Sequence, residues 1–249
     1  MPLAAALAAL ATISPCQDPA LAPGCPDLIV ARPSRLSAQR LDDGRTLLRM
    51  RNRIINAGTA PAELAGRRTG PRTMAAEQVI ADPLGVRRRY ATGAKLHFTS
   101  VPTRGGDYWK FHNALRMELW TEAPDGTPAA LVRTSPKLRY CLRDLDHVLP
   151  ALPGSPRGAV YPACNQSYKR RRVTLGTSIG WQDSYPATYP KNYIDVTGLR
   201  GCFVVLHRVD PLDHIRELDE TDNVSGVAVR LPFRRARGRL PCPRYVPAA

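Results

Sequence analysis

No C-x-x-C pair occurs in this chain, so the paired spacing of structural zinc sites is missing. Lysine is scarce: Lys95, Lys110, Lys137, Lys169 and Lys191 are the full set, and arginine carries the positive charge. Aromatic residues make up only 6% of the chain, and none is interleaved within the basic runs. That absence argues against a single-strand nucleic-acid binder, and no nucleic-acid motif accompanies the runs. No apolar stretch has the roughly 18 residues of a membrane-spanning helix. The apolar run 3–13 has signal-peptide length, although no Lys or Arg precedes it, so an export signal here is atypical or truncated. No internal repeat and no long helical periodicity are visible.

What is present points to an exported β-protein. The 249 residues suffice for a substantial core. Net charge is +15, from 36 basic against 21 acidic side chains. The basic runs are 87–89, 169–172 and 234–239, a surface suited to an anionic polymer rather than to a specific nucleic acid. The six cysteines, an even number, suit a disulfide framework formed in an oxidising compartment. Six cysteines allow fifteen pairings, which sequence alone does not fix; the expected set is Cys16–Cys25, Cys141–Cys164 and Cys202–Cys242, each closing a short or terminal loop.

Twenty-four prolines and eighteen glycines punctuate short apolar runs, which predicts an all-β fold. Expected strands cover 27–31, 46–55, 62–65, 78–81, 95–100, 114–122, 129–134, 138–142, 193–196, 202–208 and 224–232. A sandwich of antiparallel sheets with long loops is the simplest architecture. Residues 1–24 read as a signal-like or flexible segment, 25–233 as the β-domain, and 234–249 as a basic tail. Segment 153–172 reads as a loop.

The densest chemistry lies in 181–223. Tyr185 sits in a turn-rich Asp-Ser-Tyr-Pro segment, an apolar strand follows, and the acidic cluster Glu217-x-Asp219-Glu220-x-Asp222-Asn223 closes the region. Several hard oxygens within seven residues suit Ca²⁺.

The order of motifs resembles the lysyl oxidase family, and its bacterial members in particular. The resemblance rests on Cys25-Pro-Asp-Leu-Ile-Val30, Asn56-Ala-Gly58, Tyr108-Trp-Lys-Phe-His112 with the strand up to Leu119, Pro136-Lys-Leu-Arg-Tyr-Cys141, Gly180-Trp-Gln-Asp-Ser-Tyr185, Ile194-Asp-Val-Thr-Gly198 and the acidic cluster. It spans nearly all of 25–231. Such a resemblance implies an exported, copper-dependent amine oxidase that deaminates primary amines or peptidyl lysine, releasing aldehyde, ammonia and hydrogen peroxide. It also implies a lysyl tyrosylquinone cofactor, with Lys137 at the cofactor lysine's position and Tyr185 at the tyrosine's. The family's three copper histidines fall on Gly106, Tyr108 and Lys110, none of which is a histidine. Imidazole is the ligand that suits copper in such sites. His97 and His112 are the possible substitutes, and an extended strand would point His112 the same way as Lys110. By the same resemblance a structural calcium ion would be held by Asp27, the Leu28 carbonyl, Glu217, Asp219, Asp222 and Asn223. The leading expectation is therefore a calcium-held, disulfide-bonded β-sandwich, secreted or at the cell surface, that has lost copper catalysis. The alternative is an active copper- and quinone-dependent amine oxidase.

Overall fold

The computed structural model describes residues 14–82, 84–101, 106–137, 139–233 and 242–247. Two 3-10 turns, Pro15–Gln17 and Ala22–Gly24, lead into the first strands: β1 (Leu28–Val30), β2 (Ser34–Arg40), β3 (Thr46–Asn56), β4 (Ala62–Gly70) and β5 (Thr73–Ala81). The middle of the chain forms β6 (Arg87–Val101), β7 (Gly106–His112), β8 (Leu115–Glu122), β9 (Pro128–Thr134), β10 (Arg139–Tyr140) and β11 (Asp146–His147). The last strands are β12 (Arg172–Thr177), β13 (Trp181–Tyr185), β14 (Tyr193–Asp195), β15 (Gly201–Val209) and β16 (Val224–Leu231).

All pairings are antiparallel, and they form three sheets. One runs β1-β3-β13-β11, with β2 and β14 also on β3. The second runs β10-β7-β6-β5-β4-β12 and the third β16-β15-β8-β9. A single apolar core joins their inner faces, with Leu48 and Ile54 from the first sheet, Leu96, Trp109 and Phe111 from the second, and Met117 and Val205 from the third. Each large side chain buried this way contributes about 1.5–3 kcal/mol. The all-β expectation holds, and all three expected disulfides are present: Cys16–Cys25, Cys141–Cys164 and Cys202–Cys242. No helix among the described residues is long and apolar enough to cross a membrane. The apolar run 3–13 and the basic run 234–239 lie outside the described residues.

Several strands went unrecognised in the sequence. β2 is a largely exposed edge with a register shift between Ser34 and Ser37, so it shows little apolar alternation. β7 interleaves Trp109 and Phe111 with a buried lysine, and β12 begins inside a basic run. β13 corrects the reading of Tyr185: this residue is the last of a strand, not part of a turn, and the turn begins at Pro186. Its neighbours Gln182 and Asp183 are buried polar residues, which hid the strand. The expected strand 138–142 shrinks to Arg139–Tyr140, because Leu142 takes φ 52° and leaves the ladder.

The start of the domain is fixed by Asn56. Its Oδ1 accepts the amides of Asp27 and Gly58, each at 3.1 Å, and its Nδ2 donates to the Ala60 and Thr177 carbonyls at 2.8 and 2.9 Å. Position 58 must be glycine, since a Cβ there would run into the Pro26 backbone.

Candidate functional site: a lysine–tyrosine pocket and an acidic loop

β7 enters the pocket because Trp109 and Phe111 are locked in the core, which turns the intervening residue Lys110 to the opposite face. Lys110 is 3% exposed, and its Nζ donates to the Tyr189 hydroxyl at 2.9 Å. The same nitrogen lies 5.3–5.6 Å from the ring centres of Tyr108, Tyr185 and Tyr189. Desolvation holds its pKa down to about 8, helped by the nearby Arg143 and Arg139 and opposed by Asp183.

Lys137 lies in the link between β9 of the third sheet and β10 of the second. Its amide donates to Ser135 Oγ at 3.1 Å, and its Nζ donates to the Arg139 carbonyl at 2.7 Å. That nitrogen sits 3.7 Å from the centre of the Tyr185 ring. Burial holds the Lys137 amine well below its ordinary value, with Lys110 as the next cause. Tyr185 is buried between Tyr140 and Tyr189, at ring separations of 4.5 and 4.4 Å, and its hydroxyl accepts the Cys141 amide at 3.4 Å. Burial also pushes its phenol well above the ordinary value.

One acid faces these amines. Asp183 is 1% exposed and lies 3.7 Å from Arg143 Nε, while its Oδ2 has no hydrogen-bond partner. Desolvation raises its carboxyl to about 6, against the pull of Arg143, Lys137 and Lys110. Asp183, Tyr140, Tyr189 and Arg139 were not recognised from sequence. The available signal for Tyr189 was its four-residue spacing from Tyr185: the Tyr189 amide bonds back to the Pro186 carbonyl at 2.9 Å, folding one ring onto the other.

Copper does not fit this arrangement. Gly106 has no side chain, and the Tyr108 ring lies where its Cβ would be. Lys110 is an amine bonded to a phenol. His97 does share a face with Lys110, directly across the ladder, but its ring packs against that of His112 at 4.5 Å, tilted by 36°. His112 Nδ1 already accepts a hydrogen bond from Arg139 Nε at 3.2 Å. Both rings are held below the ordinary histidine value, first by desolvation, and His97 falls to about 4. Among the described residues, one group of three metal-type ligand atoms lies within 4.8 Å: Glu122, Cys202 and Cys242, whose sulfurs are tied in a disulfide.

The acidic loop joins β15 to β16 and packs on the start of β1. Glu217 accepts the Leu28 amide on one oxygen and Asn223 Nδ2, at 3.1 Å, on the other. The Leu218 amide reaches the Pro26 carbonyl at 2.9 Å, and the Asp219 amide reaches Asp27 Oδ1 at 3.3 Å. Asp27, Leu28, Glu217, Asp219 and Asn223 thus meet across about 190 residues of chain, as the sequence separation of 192 between Asp27 and Asp219 records. Asp222 is raised to about 6 by desolvation and by the charges of Asp27 and Asp219. Asn223 Oδ1 is buried with no partner. An orphan oxygen beside mutually repelling carboxylates is a donor set that suits Ca²⁺. The carboxylate oxygens have not drawn together to within 4.8 Å as a triplet.

No family model matches this chain, and no curated protein aligns with it significantly.

Proposed function

We propose that this chain is an exported lysyl-oxidase-like β-sandwich that has given up copper catalysis and acts by binding. The observation that carries this reading is the state of the three copper positions: a glycine, a tyrosine folded over it, and a lysine bonded to a phenol. Calcium at Asp27, Leu28, Glu217, Asp219, Asp222 and Asn223 would tie the first strand to the last hairpin, a structural role. The three disulfides suit an oxidising compartment. Arg67 and Arg172 stand directly opposite each other on neighbouring strands, and both are exposed. These residues offer a surface to an anionic polymer, and such binding should weaken as salt rises.

The alternative, a copper- and quinone-dependent amine oxidase acting on primary amines or protein lysine, has one specific observation in its favour. Lys137 and Tyr185, distant in sequence, meet with the amine over the ring. Peptide mass mapping after aerobic incubation with copper separates the two. A covalent Lys137–Tyr185 cross-link would overturn the binding reading; two unmodified peptides are the expected result.

A further inference from the structure

We infer that Lys110 is the covalent capture point of a binding site for a small oxo acid, a molecule carrying both a carbonyl and a carboxylate. Lys110 lines two cavities, and the first, about 160 Å³, is also lined by Thr99, Val101, Lys137, Arg139, Tyr189 and Lys191. The second shares Lys110 and Tyr189 with the first and is also lined by Tyr108 and Tyr185. The Lys110 side chain thus borders both cavities, although the residue as a whole is 3% exposed.

The lining chemistry selects the ligand. Among the described residues, four basic side chains and no carboxylate line the first cavity. Arg139 is held in place by hydrogen bonds of 3.2 Å from Nε to His112 and from Nη1 to Thr99, neither of which uses Nη2. A fixed guanidinium is the fork that matches a carboxylate. Lys137 is committed to the Arg139 carbonyl and the Tyr185 ring. Lys110, in contrast, is bonded to a phenol that is itself a proton donor and acceptor.

The step balances without an oxidant. The Lys110 nitrogen bonds to the carbonyl carbon, the carbon–oxygen bond breaks, and that oxygen leaves as water with the two amine protons. An imine remains. Tyr189, within hydrogen-bond reach of the nitrogen, is positioned to hand a proton to the departing oxygen. Desolvation beside other cations keeps part of the amine unprotonated near neutral pH, the usual route to a nucleophilic lysine. This inference uses only the pocket's own residues and does not rest on the family reading.

The test is reductive trapping on the intact protein: glyoxylate with borohydride at neutral pH, followed by peptide mapping. Lys110 should be modified roughly tenfold or more over the exposed Lys95 and Lys169, since each unit by which desolvation lowers the Lys110 pKa raises its free-amine fraction about tenfold. Arg139→Met should lower glyoxylate trapping at Lys110 to the level of propanal, which lacks the carboxylate. Lys110→Arg should remove the adduct while the circular dichroism spectrum stays unchanged. Equal labelling of all lysines would overturn the proposal, as would labelling of Lys137 with Lys110 unmodified. If Lys110→Arg does not fold, the ratio of adducts within the wild-type protein decides alone. The outcome is independent of any Lys137–Tyr185 cross-link, which consumes neither Lys110 nor Arg139.

Discussion

The lysine–tyrosine pocket and the acidic loop are electrostatic opposites built by the same device. Each gathers like charges from distant parts of the chain; in the pocket both lysines are buried, whereas in the loop Glu217 is buried and Asp219 and Asp222 stay exposed. In the pocket, Lys110 and Lys137 are pressed toward the neutral amine, with the charge of Asp183 opposing the shift in both. In the loop, burial and neighbouring carboxylates press Asp222 and Glu217 toward the neutral acid. Like charges buried together are costly unless a partner offsets them. The difference lies in that partner: a small anion suits the pocket, and a divalent cation suits the loop.

The largest expected effect at neutral pH is on the loop. Calcium at about a hundred times its dissociation constant stabilises a folded site by about 2.7 kcal/mol. In a domain of this size that raises the melting temperature by roughly 5–10 °C. Asp222→Asn should remove most of this gain while leaving the melting temperature in excess chelator nearly unchanged. Glu217→Ala should lose more in calcium than in chelator, and an equal loss under both conditions would break the comparison by making the loop a purely hydrogen-bonded corner.

A further effect, on acid stability, falls on His207, which is fully buried. Desolvation holds its pKa down to about 3, weakly opposed by the Ala31 backbone. Its folded value lies below its unfolded one, so the folded state keeps its full stability above about 6.5. That stability is lost as pH falls from there toward about 3, by up to about 1.4 kcal/mol per pH unit. Denaturant titrations of His207→Gln should show a shallower acid limb; an identical limb would place acid sensitivity elsewhere.

The smallest effect sharpens the pocket. Asp183 raises the Lys110 pKa, so Asp183→Asn should move the midpoint of Lys110 labelling below its value of about 8, by roughly one unit. A midpoint that does not move would mean the carboxylate is screened from the amine, and the pocket would then be set by desolvation alone.

Much of the frame was legible in the sequence. Strands such as β3, β15 and β16 advertise themselves through apolar runs bounded by turns. The disulfide framework was legible in the cysteine count, and the structure pairs the cysteines across the short or terminal loops expected, although sequence alone left fifteen pairings open. The acidic loop was legible because its oxygens lie within seven residues of one another. The pocket was legible only in part. Lys137 and Tyr185 were named through resemblance, Tyr189 offered only its spacing from Tyr185, and Asp183, Tyr140 and Arg139 carry no local signal. β13 was hidden because burial of Gln182 and Asp183 breaks the apolar alternation by which strands are recognised.

Composition and local pattern alone determined an all-β, disulfide-bonded, strongly basic protein, because propensity, turn chemistry and loop closure act over a few tens of residues. Only the tertiary structure decided that Lys110 faces three tyrosines and that Lys137 lies over Tyr185. Those contacts form where the second and third sheets meet β13 of the first, and the shared core of Trp109, Phe111 and Met117 sets that meeting. Packing between sheets, not sequence neighbourhood, determines which charges are buried together.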